Sequence, residues 1–496
     1  MKFVVKLAPE ITIKSRAVRM QFIQRLCANL RKVLKHRQLH ADVVKRWDMI
    51  EVSIASKHHE SANSLTARSA QIAEALAQTP GIAHYYASEE YLLDERQNAL
   101  DQIAQTCQQL FAQKIGTQSF AVRCKREGIH EFGSNEVEKQ CGAAIFAANP
   151  AAHVKLKNPD VTVAIEVKKN RFFISTEKYA GLGGYPIGNV GQVLSLISGG
   201  YDSCVASYLA MQRGMQTHFL FFNLGGLAHE VGVKQAAHFL WQRFSASHRT
   251  GFVSVPFEHV VADILQNVDK AYRGVVLKRL MTQAASTIAN EMQISTLVTG
   301  ESIAQVSSQT LANLNLIDKA TEQLVVRPLI TTDKTQIIAL SSKIGVDVYA
   351  EHMPEYCAII SEKPTTAAKP DRLALQEAKL DKSILDKAIA RRALTAIDEI
   401  YEQSSLVDRV KQISVPEPNQ TIIDIRRHDE IERRPLALIN NETLQIPAYK
   451  INHEFATLEK HRQYLLYCDR GVISKLHAAH LIEEGFENVG VYAPAS

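Results

Sequence analysis

Hydrophobic positions recur with two different periods along this chain, and the changes of period divide it into segments. Residues 3–7 are typical of a strand, and residues 15–36 place apolar side chains at helical spacing on a long basic helix. Short strands are predicted at 43–46 and 49–54. The order strand, helix, strand, strand in residues 1–60 predicts a small ferredoxin-like domain.

Residues 61–178 continue the mixture of helices and strands and are predicted to form a second α+β domain. Helical patterns end near residue 77, cover residues 94–113 and start again at Ser134. The predicted strands are 120–126, 161–167 and 171–176. A glycine-rich stretch at 179–185 then interrupts the pattern and separates this half of the chain from the next domain.

Strands and helices alternate regularly from residue 186 to about residue 357. Alternation of this kind predicts a doubly wound parallel sheet with helices on both faces, here in a domain of residues 179–357. The predicted strands are 193–197, 217–222, 251–255, 296–298 and 324–328. Because ligands of such sheets lie beyond the carboxyl ends of the strands, we expect the functional side chains at that edge.

The C-terminal part of the chain divides into a polar segment and an apolar one. Residues 358–415 are rich in Lys, Ala and Asp and are predicted to be a helical linker rather than part of a core. Residues 416–496 contain apolar strands at 421–426 and 464–467 and a helix that ends near Gly485. They predict a last, small α/β domain, so the fold class is an α/β multidomain protein.

The composition of the 496 residues, with 46% hydrophobic and 22% charged side chains, is that of an ordinary globular protein. No apolar run is long enough to cross a membrane, so we expect a cytoplasmic protein with no membrane partner. The seven cysteines include no C-x-x-C pair. A permanently bound metal ion or iron–sulfur cluster is therefore not expected.

Positive charge is concentrated in the N-terminal half, although the net charge is only +5. Residues 1–40 contain ten Lys and Arg side chains against a single acid, Glu10. A second cluster, basic and aromatic, consists of Arg123, Lys125, Arg126, His130 and Phe132. Such surfaces favour a polyanion with unstacked bases, and the alternative of solvated helix and strand faces stays open at this point.

The stretch most specific for chemistry follows the predicted strand 193–197 and reads Ser198-Gly199-Gly200-Tyr201-Asp202-Ser203. A helical pattern begins directly after it. A glycine turn between a strand and a helix presents free backbone N–H groups and the positive end of the helix dipole to an anion. It is not a Walker A loop, because G-x-x-x-x-G-K is absent. We expect phosphate binding here, with an ordinary surface turn as the alternative.

Cys468 lies where a predicted strand gives way to a predicted helix. The N–H groups of such a loop and the helix dipole stabilise a thiolate, and Arg470 adds positive charge. A reactive thiol is one interpretation, and a buried structural cysteine is the other. Cys357, in the stretch Met-Pro-Glu-Tyr-Cys at 353–357, would by itself be structural.

Three of these stretches resemble known families. The hexapeptide 198–203 resembles the PP-loop of enzymes that split ATP between its α- and β-phosphates. Residues 123–126 resemble THUMP domains, which bind tRNA. Residues 468–474, together with Ile-Asp-Ile-Arg at 423–426, resemble rhodanese domains, whose cysteine carries a persulfide. The order of these parts along the whole chain is similar to the long form of the tRNA sulfurtransferase (ThiI) family.

The resemblance implies conversion of uridine 8 of tRNA to 4-thiouridine. The C4 oxygen of the base would be adenylated and then replaced by sulfur, with AMP and pyrophosphate as the other products. The implied cofactors are ATP and Mg²⁺. The implied partners are tRNA, a cysteine desulfurase that donates the persulfide and, for the thiazole of thiamine, a sulfur-carrier protein.

Carried over by position, the resemblance also implies site residues. The ATP-binding residues would be Leu196, Ile197, Ser198, Gly199, Gly200, Asp202, Ser203, Lys278, Gly300 and Gln309. The catalytic residues would be Asp202 and Lys334 in activation, Cys468 as the persulfide carrier and Cys357 as the resolving thiol that forms a disulfide with Cys468. The RNA-binding residues would be Arg123, Lys125 and Arg126, and no metal ligand is implied. Many rhodaneses have Arg at the position of Ile473, so this chain favours a protein-borne persulfide over thiosulfate.

A different class of enzyme, an ATP-dependent amide-forming ligase or synthetase with a PP-loop, stays open on the hexapeptide alone. No stretch of the chain resembles a glutaminase domain, and a persulfide loop would have no role in such an enzyme. An RNA-binding protein with an inactive nucleotide fold is disfavoured because the hexapeptide is intact.

Overall fold

The computed structural model describes residues 2–46, 49–54, 62–94, 96–224, 226–351, 353, 363–400, 410–426, 428–436, 438, 440–469 and 472–494. The chain falls into two compact units, Met1–Asn189 with Gln212–Gly214, and Val190–Met211 with Met215–Ser496. None of the helices in these described stretches is both long and apolar enough to cross a bilayer.

The first unit combines long helices with a mostly antiparallel sheet. Its helices are α1 (Pro9–Thr12), α2 (Arg16–His36), α3 (Ala62–Ala77), α4 (Ala99–Ile115) and α5 (Ser134–Ala148). Its strands are β1 (Lys2–Leu7), β2 (Asp42–Lys45), β3 (Met49–Ser53), β4 (Ile82–Leu92), β5 (Ser119–Glu127), β6 (His153–Val154), β7 (Val161–Lys168) and β8 (Arg171–Ala180). They form one sheet in the order β2-β3-β1-β4-β8-β7-β5-β6.

Strand β4 joins the two predicted N-terminal domains, because β1 and β8 pair with it on opposite sides. The sequence pattern predicted the end of the preceding helix near residue 77 but not this strand. Its alternation of apolar and polar positions is broken by a register shift between Ala87 and Ser88 and by the adjacent acids Glu89 and Glu90. A period-two pattern is therefore not visible along its length.

The first unit contains two separate hydrophobic cores. One includes Phe3, Leu26 and Tyr85, and the other includes Phe120 and Val137. Helix α3 and the start of β4 pack in the first core. The predicted boundary at residue 60 therefore lies inside this packed portion, because the amphipathic helix α3 packs in the same core as α2.

The second unit begins with the domain predicted to be doubly wound. Its helices are α6 (Tyr201–Gln212), α7 (Gly226–Leu240), α8 (Glu258–Asn267), α9 (Arg273–Glu291), α10 (Leu311–Asp318), α11 (Lys334–Ile344), α12 (Asp347–Ala350), α13 (Pro370–Glu377) and α14 (Lys382–Ala390). Its strands are β9 (Gln192–Leu196), β10 (Gln216–Asn223), β11 (Gly251–Pro256), β12 (Thr296–Val298), β13 (Leu324–Val326) and β14 (Ala393–Ala396).

The sheet order β13-β12-β9-β10-β11-β14 confirms the predicted parallel sheet, since the strands from β13 to β11 are all parallel. The chain moves outward from β9 through β10 and β11 and then returns to the other side of β9 as β12. The strand order therefore reverses between β9 and β12. A crevice opens at such a point beyond the carboxyl ends of the two strands, and the glycine hexapeptide follows β9 there.

The prediction of a linker at 358–415 is wrong for most of that segment. Leu373, Ala388 and Ile389 are buried in the core of the central domain, and β14 pairs antiparallel with β11 at the edge of its sheet. The many Lys and Asp residues occupy the solvent-facing sides of α13 and α14. Their number concealed an apolar stripe at helical spacing. The connection to the last domain is confined to residues 398–409, of which 401–409 lie outside the described residues.

The last domain has a five-stranded parallel sheet in the order β15-β19-β18-β16-β17. Its strands are β15 (Gln412–Ile413), β16 (Gln420–Asp424), β17 (Thr443–Gln445), β18 (Gln463–Tyr467) and β19 (Val489–Tyr492). Its helices are α15 (His428–Arg433), α16 (Ala448–Glu454) and α17 (Val472–Glu483). The predicted small α/β domain is confirmed, and Cys468 follows its middle strand, β18.

Candidate active site

The hexapeptide 198–203 forms a closed turn between β9 and α6, as the sequence predicted. Ser203 holds the turn together, because its Oγ accepts from the Ser198 backbone N–H and donates to the Gly200 carbonyl, both at 3.1 Å. Gly199 has a φ of +82°, a conformation that glycine adopts without strain. The turn thereby places the start of α6 at the crevice, where backbone N–H groups can bind an anion.

Gly300, which follows β12, allows the loop after this strand to lie close to the hexapeptide that follows β9. A Cβ on Gly300 would lie 2.6 Å from the Asp202 carbonyl carbon and 2.7 Å from its oxygen. No side chain fits at that distance. Glycine is therefore required here for the loop after β12 to lie against the hexapeptide.

Asp202 is held by two side chains from distant parts of the chain. The Lys334 ammonium donates to Oδ1 at 2.8 Å and to Oδ2 at 3.0 Å, and the Gln305 amide donates to Oδ2 at 2.8 Å. Lys334 is the first residue of α11, so its position depends on where that helix starts. The sequence prediction paired Asp202 with Lys334 in function but did not identify Gln305.

A second charged group surrounds Glu301, whose place after β12 was indicated by the sequence, whereas its partner Arg327 was not. Glu301 is almost completely buried and accepts from Arg327 Nε at 2.8 Å and from Thr299 Oγ1 at 3.0 Å, with Lys278 Nζ 4.0 Å away. Burial alone would raise the pKa of Glu301, but the charges of Lys278 and Arg327 outweigh it and lower that pKa. Arg327 is in turn paired with Asp318. A sequence signal existed in Thr299-Gly300-Glu301 at the end of β12, but Arg327 had none.

These groups line one cavity of about 640 Å³, a size typical of small-molecule and cofactor sites. All but one of the residues predicted to bind ATP line it, and so does Lys334. The exception is Gly199, whose contribution is the backbone shape of the turn. The cavity also includes His229, Gln305 and Arg327.

Gln309 and His229 both line the cavity. Gln309 lies in a short turn, is buried, and its Oε1 has no hydrogen-bond partner among the described residues. His229, in α7, has Nε2 3.4 Å from the Ser198 carbonyl and packs edge-to-face against Phe221. Burial lowers the pKa of His229, so this ring is neutral at pH 7. Gln309 thus offers an acceptor to a ligand, and His229 supports the turn.

Cys468 lies between β18 and α17 with its side chain largely buried. The Ser474 backbone N–H donates to Cys468 Sγ at 3.4 Å, and Ser474 Oγ lies 3.4 Å from the same sulfur. Nearby, the buried Arg426 binds Asp424 and donates to Asp469 at 2.7 Å, which fixes the start of the loop. The structure therefore gives the sulfur an N–H donor from the first turn of a helix, as predicted.

Two predicted residues lie outside the described stretches. These residues are Cys357 and Arg470, so the pairing of Cys357 with Cys468 stays a prediction. The described residues of the last domain do not line the cavity that contains the hexapeptide. Within the described stretches, no group of three or more His, Cys, Asp or Glu side chains is arranged to hold a metal ion.

The three residues predicted to bind RNA lie on β5 but not on one face. Arg123 and Lys125 are exposed and alternate with the buried Val122 and Cys124, so they share the face away from the core. Arg126 points the other way and stacks over Phe132 at 5.8 Å. Its Nε and Nη1 are buried without a hydrogen-bond partner among the described residues.

Three family models match the chain, one after another. The ferredoxin-like domain of ThiI matches residues 2–86, the THUMP domain matches residues 97–177, and the thiamine biosynthesis protein (ThiI) model matches residues 188–382. The predicted ferredoxin-like, THUMP and PP-loop domains are thereby confirmed. The rhodanese-like assignment of residues 416–496 stays a prediction.

Full-length relatives and one solved structure extend this similarity. The chain is 44% identical over 495 residues to a tRNA sulfurtransferase of Marinobacter nauticus and 46% identical over 495 residues to one of Pseudomonas aeruginosa, with 100% of both chains covered in each case. It also resembles the structure of a 4-thiouridine synthetase in complex with RNA and ATP, with a TM-score of 0.66, 23% identity, and coverage of 80% of this chain and 99% of that one. At this identity the structural similarity shows the fold alone.

Proposed function

This chain belongs to the tRNA sulfurtransferase family, and on that premise we propose that it thiolates uridine 8 of tRNA in two stages. The C4 oxygen of the base is first adenylated with ATP. A persulfide on Cys468 then supplies the sulfur that replaces it, and the products are 4-thiouridine, AMP and pyrophosphate.

The hexapeptide is the proposed cradle for the phosphates of ATP. Its N–H groups and the N-terminus of α6 suit an anion, and the Lys278 ammonium balances the charge that grows on pyrophosphate as it leaves. Glu301 and Arg327 fix the position of that ammonium through the contacts described above. The acceptor on Gln309, unpaired among the described residues, suits an amino group of the nucleotide.

Asp202 is proposed to orient the reacting groups rather than to act as a base. Its carboxylate already accepts from Lys334 and Gln305 and lies at the start of α6, so its direction is fixed. Mg²⁺ binds through one or two carboxylates and phosphate oxygens, and Asp202, which lines the cavity beside the hexapeptide, would supply one such carboxylate. Bound there, Mg²⁺ would neutralise phosphate charge.

The activation step is needed because the carbonyl oxygen of uridine leaves poorly. Once the oxygen carries AMP, the terminal persulfide sulfur can attack C4, and the C4–O bond breaks with release of AMP. A Cys357 thiolate then attacks Cys468 Sγ, so that the S–S bond electrons stay on the sulfur attached to C4. Alternatively, Cys357 attacks first and frees sulfide beside the activated base. Both routes leave a Cys357–Cys468 disulfide, which an external thiol reductant must reduce.

The N-terminal unit is the proposed tRNA-binding part. Arg123 and Lys125 carry exposed positive charges. The buried Nε and Nη1 of Arg126 have no hydrogen-bond partner among the described residues, and a phosphate oxygen would accept hydrogen bonds from them. A cysteine desulfurase is the proposed donor of the persulfide, in the cytoplasm. A thiamine-pathway sulfur-carrier protein is proposed as a second acceptor.

The observation that carries this function is the convergence of the hexapeptide, Lys278 and the Asp202–Lys334 pair in one cavity, in a chain that also has the Cys468 loop. The test is to mix the enzyme, ATP, tRNA, cysteine and a desulfurase and to digest the tRNA to nucleosides. Thionucleoside that requires ATP supports the proposal. ATP cleavage coupled to amide formation, with no thionucleoside, would instead identify an amide-forming ligase.

A further inference from the structure

Helix α17, which follows the Cys468 loop, is buried on two faces. Ser474, Ala478 and Leu481 recur at helical spacing and face the core of the last domain. His477 and His480 lie about a quarter-turn away from that stripe and are also buried. The core of the last domain therefore accounts for only one of the buried faces.

The second face of α17 contacts α7 of the central domain. Gln235 and His477 are 4% and 2% exposed, and the Gln235 amide Nε2 lies 2.6 Å from His477 Nε2. For the amide to donate, the imidazole must carry no proton on that nitrogen. Burial, and secondly the charge of His480, lowers the pKa of His477 to about 3, so the ring is neutral at pH 7. The contact is thus a buried hydrogen bond between neutral groups.

Helix α7 has the composition of a covered helix. Val231, Val233, Ala236, Ala237 and Phe239 are all buried, and no described side chain of α7 is fully exposed. A helix on the outside of a doubly wound sheet normally keeps one polar face toward water. Here the face that carries Gln235 is covered by α17.

Helix α7 also reaches the cavity, but at a different point along its length. His229 lines the cavity, and Gln235 is six residues further on, about 9 Å along the helix axis. Cys468 is 8% exposed, and none of the described residues from 410 to 494 lines the cavity. In this arrangement the sulfur is held away from the place where the base would be activated.

We propose that the face of α7 around Gln235 is a docking surface for the sulfur-carrying domain, which rests there through α17 and must leave before Cys468 delivers sulfur at the cavity. The delivery part of this inference rests on the proposed function, whereas the docking part does not. The docked pose is a resting state.

Docking is tested by hydrogen exchange on the full chain, which needs neither ATP nor tRNA. Gln235→Ala should speed exchange in peptides covering 472–483, and His477→Ala should speed exchange in peptides covering 226–240, each by about fivefold, as expected for the loss of one hydrogen bond. Lys475→Ala is the control, because position 475 lies on the opposite side of α17 from His477. If neither helix responds to the substitution in the other, the docking surface is refuted.

Delivery is tested by single turnover with Cys468 already loaded with persulfide. Gln235→Ala should form thionucleoside at least as fast as the native chain, because the resting contact is weakened. If Gln235→Ala instead formed thionucleoside about tenfold more slowly, with persulfide loading and pyrophosphate release unchanged, the docked pose would be the one that delivers sulfur. That result would overturn its assignment as a resting state. If the native chain formed no thionucleoside at all, the proposed function would be refuted. The hydrogen-exchange experiment would still show whether α17 docks on α7.

Discussion

Lys334 donates to both carboxylate oxygens of Asp202, at 2.8 and 3.0 Å, although 132 residues separate the two in the chain. The pair joins the start of α6 to the start of α11. Both helices begin at the carboxyl edge of the central sheet, on the cavity that contains the hexapeptide. The carboxylate of Asp202 is therefore fixed in direction.

Asp202→Ala should reduce pyrophosphate release that depends on ATP and tRNA by about a hundredfold, because the groups that Asp202 orients lose their alignment. Lys334→Ala should have a similar effect, and the double variant should be little worse than either single one, since the two residues act as a unit. Persulfide loading on Cys468 should be unchanged in all three. Asp333→Asn, beside Lys334, is the matched control, because the Asp333 side chain makes no capping hydrogen bond. Native pyrophosphate release in Asp202→Ala would remove Asp202 from activation.

Glu301→Gln should destabilise the central domain at pH 7, because it leaves Arg327 and Lys278 facing a neutral group. Breaking a buried ion pair of this kind costs about 3 kcal/mol. Since the folded-state pKa of Glu301 is lowered, its contribution is present above the unfolded-state pKa of about 4.3 and is lost as the pH falls through the folded value. The stability difference between the native chain and the variant should therefore shrink in acid.

Trp241, which is buried in the second unit, reports this unfolding in urea once Trp47 is replaced by Phe. Asp318→Asn is the control, since that carboxylate also binds Arg327 but is half-exposed and should matter less. A stability difference that stays constant from pH 7 to pH 3 would contradict the ionised state assigned to Glu301.

Cys468→Ser should give no thiolation, because no persulfide can form at that position. Cys357→Ser should still accept sulfur on Cys468 but should lose nearly all multiple turnover, since no resolving thiol remains. The native chain cycled without reductant should stall, and peptide mapping should find a Cys357–Cys468 disulfide. Cys124→Ser, a buried thiol in the first unit, should behave as the native chain does. Normal turnover by Cys357→Ser would refute the pairing.

Replacing both Arg123 and Lys125 by Ala should weaken tRNA binding and flatten its salt dependence. Each lost phosphate contact lowers the slope of log affinity against log salt by about 0.7 to 0.9. Lys139→Ala removes one positive charge from an exposed position on α5, the helix packed on the opposite face of the sheet, and should leave the slope unchanged. Equal slopes in the native chain and the double variant would exclude a phosphate contact at this face.

The sequence by itself determined the features that are local along the chain. The hexapeptide 198–203 specifies its turn through adjacent glycines and the strand and helix beside it, so its position at the end of β9 could be predicted from neighbouring residues alone. The alternation of strands and helices specified the parallel sheet for the same reason. Cys468 was placed between a strand and a helix by the pattern on either side of it.

Only the tertiary structure decided the features that join distant segments. Gln305 on Asp202, Arg327 on Glu301 and Gln235 on His477 are contacts across 103, 26 and 242 residues, and no local periodicity encodes such pairs. Strand β14 and helices α13 and α14 looked like a linker because their solvent-facing side chains dominate the composition. Their few apolar positions are buried only when the folded chain provides the sheet edge at β11 and the core beneath it. Burial is a property of the assembled fold, and the chemistry of Glu301 and the resting place of α17 both depend on it.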